Sequence, residues 1–81
     1  MRLEQTIDLM SSDNYKARFK AEYYQTKIRF EKLKVMVSKY EANTLDFEPK
    51  CSIHIFKAQL EYMSEYLGVL ELRAKIEDID L

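Results

Sequence analysis

Two segments of this 81-residue chain carry apolar side chains on two opposite faces at once, and that constrains its fold more than any other feature. In the first, Tyr15, Phe19, Tyr23, Thr26, Phe30, Leu33, Val37 and Tyr40 recur every three or four residues, close to the period of packed helix pairs. In the second, Ile53, Phe56, Leu60, Met63, Leu67, Leu70 and Ala74 keep the same spacing. Two residues further along a helix is a rotation of about 200°. Ala17, Ala21, Tyr24, Ile28 and Val35 therefore form another stripe behind the first, as do Ile55, Gln59, Tyr62, Tyr66, Val69, Arg73 and Ile76 in the second segment. One face can join the helices as an antiparallel hairpin, and the opposite face then has to be covered by further copies or by a partner. The periodicity predicts an all-α fold, an antiparallel two-helix hairpin that is an obligate homo-oligomer. It does not say what the oligomer is for.

The short chain supports a single helical domain over 1–81, and two helices enclose too little core to stand without disulfides, metal or association. The single Cys51 excludes an intrachain disulfide, and one Cys with one His is too few for a structural zinc site. Association is what remains. A hydrophobic content of 47% alongside 33% charged residues, with one Gly and one Pro, is a helical composition and not a disordered one. No apolar run approaches the roughly 18 residues that span a bilayer. The opening Met-Arg-Leu-Glu-Gln lacks the apolar core of a signal peptide, so a cytosolic protein is expected.

Leu3, Thr6, Ile7 and Met10 fit a short amphipathic helix within residues 1–12. Ser12, Asp13 or Asn14 can then cap a long helix over 14–42. Residues 43–51 form the one real loop, with Pro49 barring continuation of the helix and Leu45 and Phe47 expected to fold back over the hairpin end. Ser52 is the expected N-cap of a second long helix over 52–77.

Charge is divided between the helices. Between residues 16 and 39 eight basic residues face two acidic ones, net +6, whereas from residue 40 onward nine acids face four bases, net −5. The plain expectation is two helices side by side with complementary flanks. A sharper one notes that Lys20, Lys27 and Lys34 repeat at seven-residue intervals, a row that faces one way and can meet phosphates. The sequence pI near 5.8 argues against bulk nucleic-acid binding and leaves room for a small phosphorylated ligand held between protomers.

Catalysis has little support. There is no Gly-rich phosphate loop, no HExxH or CxxC pair and no Ser, His and acid arrangement, so neither an enzyme, a cofactor nor a metal is expected. His54 and Cys51 lack partners and are read as structural or exposed residues. Arg73 interrupts an apolar stripe, and if that face is an oligomer interface its guanidinium must be paired there, by a Glu of a neighbouring subunit or by an anionic ligand. Gly68 shares a flank with Ser64, and small residues there would let a second backbone or a ligand approach closely.

A more specific pattern runs through both helices. Arg18-Phe19-Lys20-Ala21-Glu22, continuing through Thr26-Lys27-Ile28-Arg29-Phe30-Glu31-Lys32-Leu33, and the later spacing of Gln59, Met63, Tyr66, Leu70 and Arg73 resemble the helical-hairpin domain of phage anti-CBASS and anti-Thoeris cyclic-nucleotide sponges and related short phage proteins. The resemblance covers about residues 14–77. It implies two long antiparallel helices with a short N-terminal helix, assembled as a homohexamer in the host cytoplasm. Such proteins bind cyclic di- or trinucleotides in pockets between protomers, without turnover, and starve the host effector of its signal. Members that bind cyclic ADP-ribose isomers carry an extra C-terminal domain, so a cyclic oligonucleotide is the ligand expected here.

The resemblance also implies site residues. An aromatic near the start of the long helix stacks on a base, which selects Tyr15, and a cation of that helix meets phosphate, which selects Arg18 and Lys27. The second-helix arginine is Arg73, and Thr26 adds a hydroxyl. Stacking tolerates any base and cationic hydrogen bonds to phosphate are strong, so this set is chemically coherent. Two other functions stay open: direct inhibition of a bacterial defence complex, as anti-CRISPR proteins do, through an acidic surface such as Glu61, Glu65 and Glu71, and a purely structural oligomer.

Overall fold

Three α-helices form, α1 (Thr6–Met10), α2 (Tyr15–Glu41) and α3 (Ile53–Ile76), with a 3-10 turn at Leu3–Gln5 leading into α1 and no strand. The computed structural model describes all 81 residues. One side chain sets the start of each long helix. Asn14 Oδ1 accepts the Lys16 amide at 2.8 Å, and Ser52 Oγ accepts the His54 amide at 3.2 Å. Ser12 supports the first cap by accepting the Asn14 amide at 3.0 Å.

Both long helices end the same way. Asn43 and Asp78 take positive φ, 59° and 55°, directly after the last half-helical residue. The following amides, Thr44 and Ile79, then reach back to the carbonyls of Lys39 and Ala74 at 2.9 and 2.8 Å. This is the Schellman pattern, with Asn and Asp standing where Gly is commonest. After α3 it also turns Ile79 back onto the core, where it is buried beside Ala74.

The short helix expected within residues 1–12 spans Leu3–Met10, wound as a 3-10 turn at Leu3–Gln5 and as α1 from Thr6. Thr6 Oγ1 donates to the Leu3 carbonyl at 2.7 Å, and Gln5 Oε1 accepts the Arg2 amide, so local side-chain bonds favour the tighter winding. In the loop Leu45 is half-buried, but a bend at Asp46–Phe47 turns Phe47 outward, 55% exposed. The expectation that Phe47 covers the hairpin end is thus corrected.

α2 and α3 run antiparallel: the Tyr15 and Glu77 side chains meet at one end and Glu41 and Lys57 at the other. At about 1.5 Å per residue the 27-residue α2 is roughly 40 Å long, which sets the longest dimension of the molecule, 43 Å. The inner stripes face each other. Phe19, Tyr23, Leu67, Leu70, Ala74 and Ile79 make one buried cluster at the Tyr15 end, and Phe30 and Tyr24 pack against it.

The second stripes have different fates. On α2, Ala21 is fully buried and Ala17, Tyr24 and Ile28 are half-buried, while Gln25 Nε2 donates to Thr6 Oγ1 of the N-terminal segment packed on that face. Thr6 is itself fully buried, with its hydroxyl satisfied. On α3 the second stripe stays open: Ile55, Tyr62, Tyr66, Val69 and Ile76 are exposed, Tyr62 by 70% and Ile76 by 73%, and Leu72 beside them is exposed as well. No helix is long and apolar enough to cross a membrane.

Candidate functional site

Where α2 begins and α3 ends, four side chains close on one another. The Tyr15 hydroxyl donates to Glu77 Oε1 at 2.7 Å and accepts from Arg73 Nη2 at 2.7 Å, while Arg73 Nε donates to Glu77 Oε2 at 3.1 Å. The guanidinium lies 4.9 Å from the centre of the Phe19 ring, and the Tyr15 and Phe19 rings are tilted at 54° with centroids 6.4 Å apart. Lys16 Nζ donates to the Asp78 carbonyl at 3.1 Å, tying the start of α2 to the turn after α3. Tyr15 keeps 48% of its surface exposed, so its ring is held at the hydroxyl and open elsewhere.

The protonation of this cluster follows from its bonds. The Glu77 carboxyl is held below the usual range, first by the hydrogen bond from Tyr15 and, against partial desolvation, by Arg73. The same bond to Glu77 raises the Tyr15 phenol, with Arg73 opposing. Arg73 is raised by its bond to Glu77 and stays charged.

A second concavity of about 380 Å³ lies midway along the hairpin, between Tyr23, Lys27 and Phe30 of α2 and Ser64, Leu67, Gly68 and Glu71 of α3, with Glu31 at its rim. The Tyr23 hydroxyl donates to Glu71 Oε2 at 2.6 Å. Burial first, and then this bond to a carboxylate, push the Tyr23 phenol up to about 12. A Cβ at Gly68 would meet nothing within 4 Å, so the absent side chain leaves open space on this flank.

The expected pairing of basic and acidic flanks does not occur. The three ion pairs are Arg2–Glu4, Lys57–Glu41 and Arg73–Glu77, so none of the eight basic residues from Lys16 to Lys39 has a carboxylate within 4.0 Å. Two of them lean over aromatic rings instead. Lys27 Nζ is 5.6 Å from the Tyr23 ring centre and Lys34 Nζ is 5.7 Å from that of Phe30. The row of Lys20, Lys27 and Lys34 thus carries positive charge that the fold leaves uncompensated.

Of the five residues selected from the sequence, Tyr15 and Arg73 touch. Arg18 turns back to donate to the Ser12 carbonyl at 2.8 Å, below the start of α2. Thr26 spends its hydroxyl on the Glu22 carbonyl at 2.9 Å, and Lys27 lies twelve residues, or roughly 18 Å of helix, from Tyr15. Within one chain the five residues therefore mark two places. Within one chain Arg73 is paired by Glu77, four residues on at the C-cap of α3, and by Tyr15 across the hairpin. Glu77 was not singled out from the sequence. The signal for it was the four-residue spacing from Arg73, which puts both side chains on one helix face.

The model of a family described as Sequestin matches residues 13–76, from the capping turn of α2 to the last residue of α3. No curated protein and no solved structure matches the chain.

Proposed function

The chain belongs to the Sequestin family, and from that premise we propose that it is a phage anti-defence protein that sequesters cyclic di- or trinucleotide immune signals in pockets between protomers, without turning them over. The family name speaks of sequestration, which supports a binding role for a small signalling molecule. The observation that carries the nucleotide reading is the uncompensated positive charge of α2, where none of eight Lys and Arg side chains has a carboxylate within 4.0 Å and Lys20, Lys27 and Lys34 share one face. Uncompensated charge of that kind is suited to phosphodiesters. At the end of the same helix Tyr15 offers an open aromatic ring for a base.

Tyr15 and Lys27 stand roughly 18 Å apart along α2, and a pocket between protomers would bring Tyr15 of one copy toward Lys27 and Thr26 of another. The open α3 face supplies apolar surface for that assembly, a homohexamer by the sequence resemblance, working in the host cytoplasm. Direct contact with a defence protein is the second reading. Glu61 and Glu65 are exposed and free for it, whereas Glu71 is already engaged by Tyr23.

The test is a thermal-shift panel of cyclic dinucleotides, cyclic trinucleotides and cyclic ADP-ribose isomers. A ligand at a hundred times its dissociation constant adds about 2.7 kcal/mol of stability, and at least one cyclic oligonucleotide is expected to do so. No shift with any of them overturns the nucleotide reading in favour of protein contact.

A further inference from the structure

The Arg73 guanidinium would be a ready seat for a phosphodiester, but it is filled. Its Nε–Nη2 edge, the fork that receives two oxygens of an anion, donates from Nε to Glu77 Oε2 and from Nη2 to Tyr15 Oη. The Tyr15 hydrogen then goes to Glu77 Oε1, so carboxylate, phenol and guanidinium close a ring. Glu77 offers what a phosphodiester offers: one negative charge and two acceptor oxygens, one taken by Arg73 Nε and one by the Tyr15 hydroxyl. It is also placed to leave. It is the C-cap of α3, the first residue beyond the helix, with Asp78 at φ 55° after it, and its side chain is about one-third exposed (32%).

Resting on the nucleotide reading above, we infer that Glu77 is a built-in competitor for the anion seat at Arg73, so that a phosphodiester gains the guanidinium and the Tyr15 hydroxyl only by displacing the Glu77 carboxylate. A neutral ligand has nothing to exchange for that carboxylate and leaves the ring closed. Glu77 thereby sets the threshold affinity of the Arg73 end and selects anionic ligands. The opposite role, in which Glu77 holds Arg73 and Tyr15 in a binding-ready geometry, predicts the opposite sign when its charge is removed.

The titratable and charged groups around Glu77 are Tyr15 and Lys16 of α2, Arg73 of α3 and the neighbouring Asp78. Of these, Glu77 alone has its carboxylate bonded to the fork, and the bonds from Tyr15 and Arg73 hold that carboxyl below the ordinary range. Competition by Glu77 therefore weakens as pH falls through its titration.

The test uses trimetaphosphate, a ring of three singly charged phosphates that stays ionised in mild acid, titrated into the full chain while the Arg73 Nε–H resonance is followed by NMR. Glu77→Gln keeps the shape and removes the charge, and it is expected to tighten trimetaphosphate at least about fivefold, the lower end of ordinary site coupling. Glu77→Ala should act in the same direction, and Arg73→Gln should abolish the effect of both. Wild-type affinity should rise as pH falls below 4.5, the ordinary value from which Glu77 is lowered, while that of Glu77→Gln should stay level. Equal or weaker binding by both Glu77 variants overturns the inference. A cyclic dinucleotide and a cyclic trinucleotide, titrated into the same proteins, separate the two readings: if neither binds any variant while trimetaphosphate still tightens, the nucleotide reading falls and the competitor role of Glu77 stands.

Discussion

Two tyrosines donate to glutamates across the hairpin, and burial gives them different consequences. Tyr23 is only 4% exposed, in the middle of the apolar cluster, and its hydroxyl reaches Glu71 at 2.6 Å. Tyr23→Phe removes a hydrogen bond to a charged acceptor that is itself exposed, and should cost about 1 kcal/mol in urea unfolding. Its phenol is raised from 10.0 to about 12. Below pH 10 it is protonated in both states and its contribution is complete. Between pH 10 and 12 the unfolded phenol ionises while the folded one holds its proton, so stability falls through that window. In Tyr23→Phe this component of the alkaline loss should be absent, as read by unfolding midpoints against pH. Glu77 works at the other end of the scale. Its carboxyl is held below 4.5, so its contribution is present above that pH and lost as acid takes it through its lower folded value. Glu77→Gln should flatten the acid limb of the same profile.

At the scale of elements, what could be read in the sequence was what depends on local spacing. The inner stripes, Phe19 and Tyr23 against Leu67, Leu70 and Ala74, are an arithmetic of three and four, and the caps at Asn14 and Ser52 need only one side chain each. Legibility ended where backbone conformation decides. Ile79 lies beyond the last residue that the helical pattern assigns, yet the positive φ of Asp78 returns it to the core. Nothing in the spacing of Ile79 announces this, because Asp is not the usual residue there. Ile79→Ala should accordingly cost about 2 kcal/mol, as a core truncation does, although a pattern reading would place it in a tail. The site was legible to the same degree. Tyr15 and Arg73 were selected and do meet, whereas Glu77, which joins them, is visible only when side chains are followed through space. Gly68 makes the converse case. Its Cβ would meet nothing within 4 Å, so Gly68→Ala should raise the unfolding free energy of the chain by up to about 1 kcal/mol through helix propensity alone. That gain should be measurable as a higher Tm in denaturant-matched scans.

The whole molecule has more surface than its mass calls for. A compact monomer of 9.7 kDa exposes about 5,100 Å² by the usual scaling, but this chain exposes 6023 Å² and buries only nine of its 81 residues. The excess, about 900 Å², is close to the roughly 800 Å² that each partner contributes to a standard protein interface. Its location is also informative. The N-terminal segment already covers Ala21 and its neighbours on α2, and the exposed large apolar residues of α3 include Tyr62, Tyr66, Val69, Leu72 and Ile76. These residues flank the Arg73 cluster on the same helix, so copies meeting on this face would bring a second protomer beside Tyr15 and Arg73. Assembly and ligand binding should then fail together. Val69→Glu combined with Leu72→Glu changes two exposed residues that the intramolecular core does not use, so the single chain gains no new strain. Sedimentation velocity should show wild type as an oligomer and the double variant as a smaller species, with loss of any thermal shift caused by a cyclic nucleotide. An oligomer of unchanged size in the double variant would move the assembly to another face, and a wild-type chain that sediments as a stable folded monomer would remove the argument from exposed surface altogether.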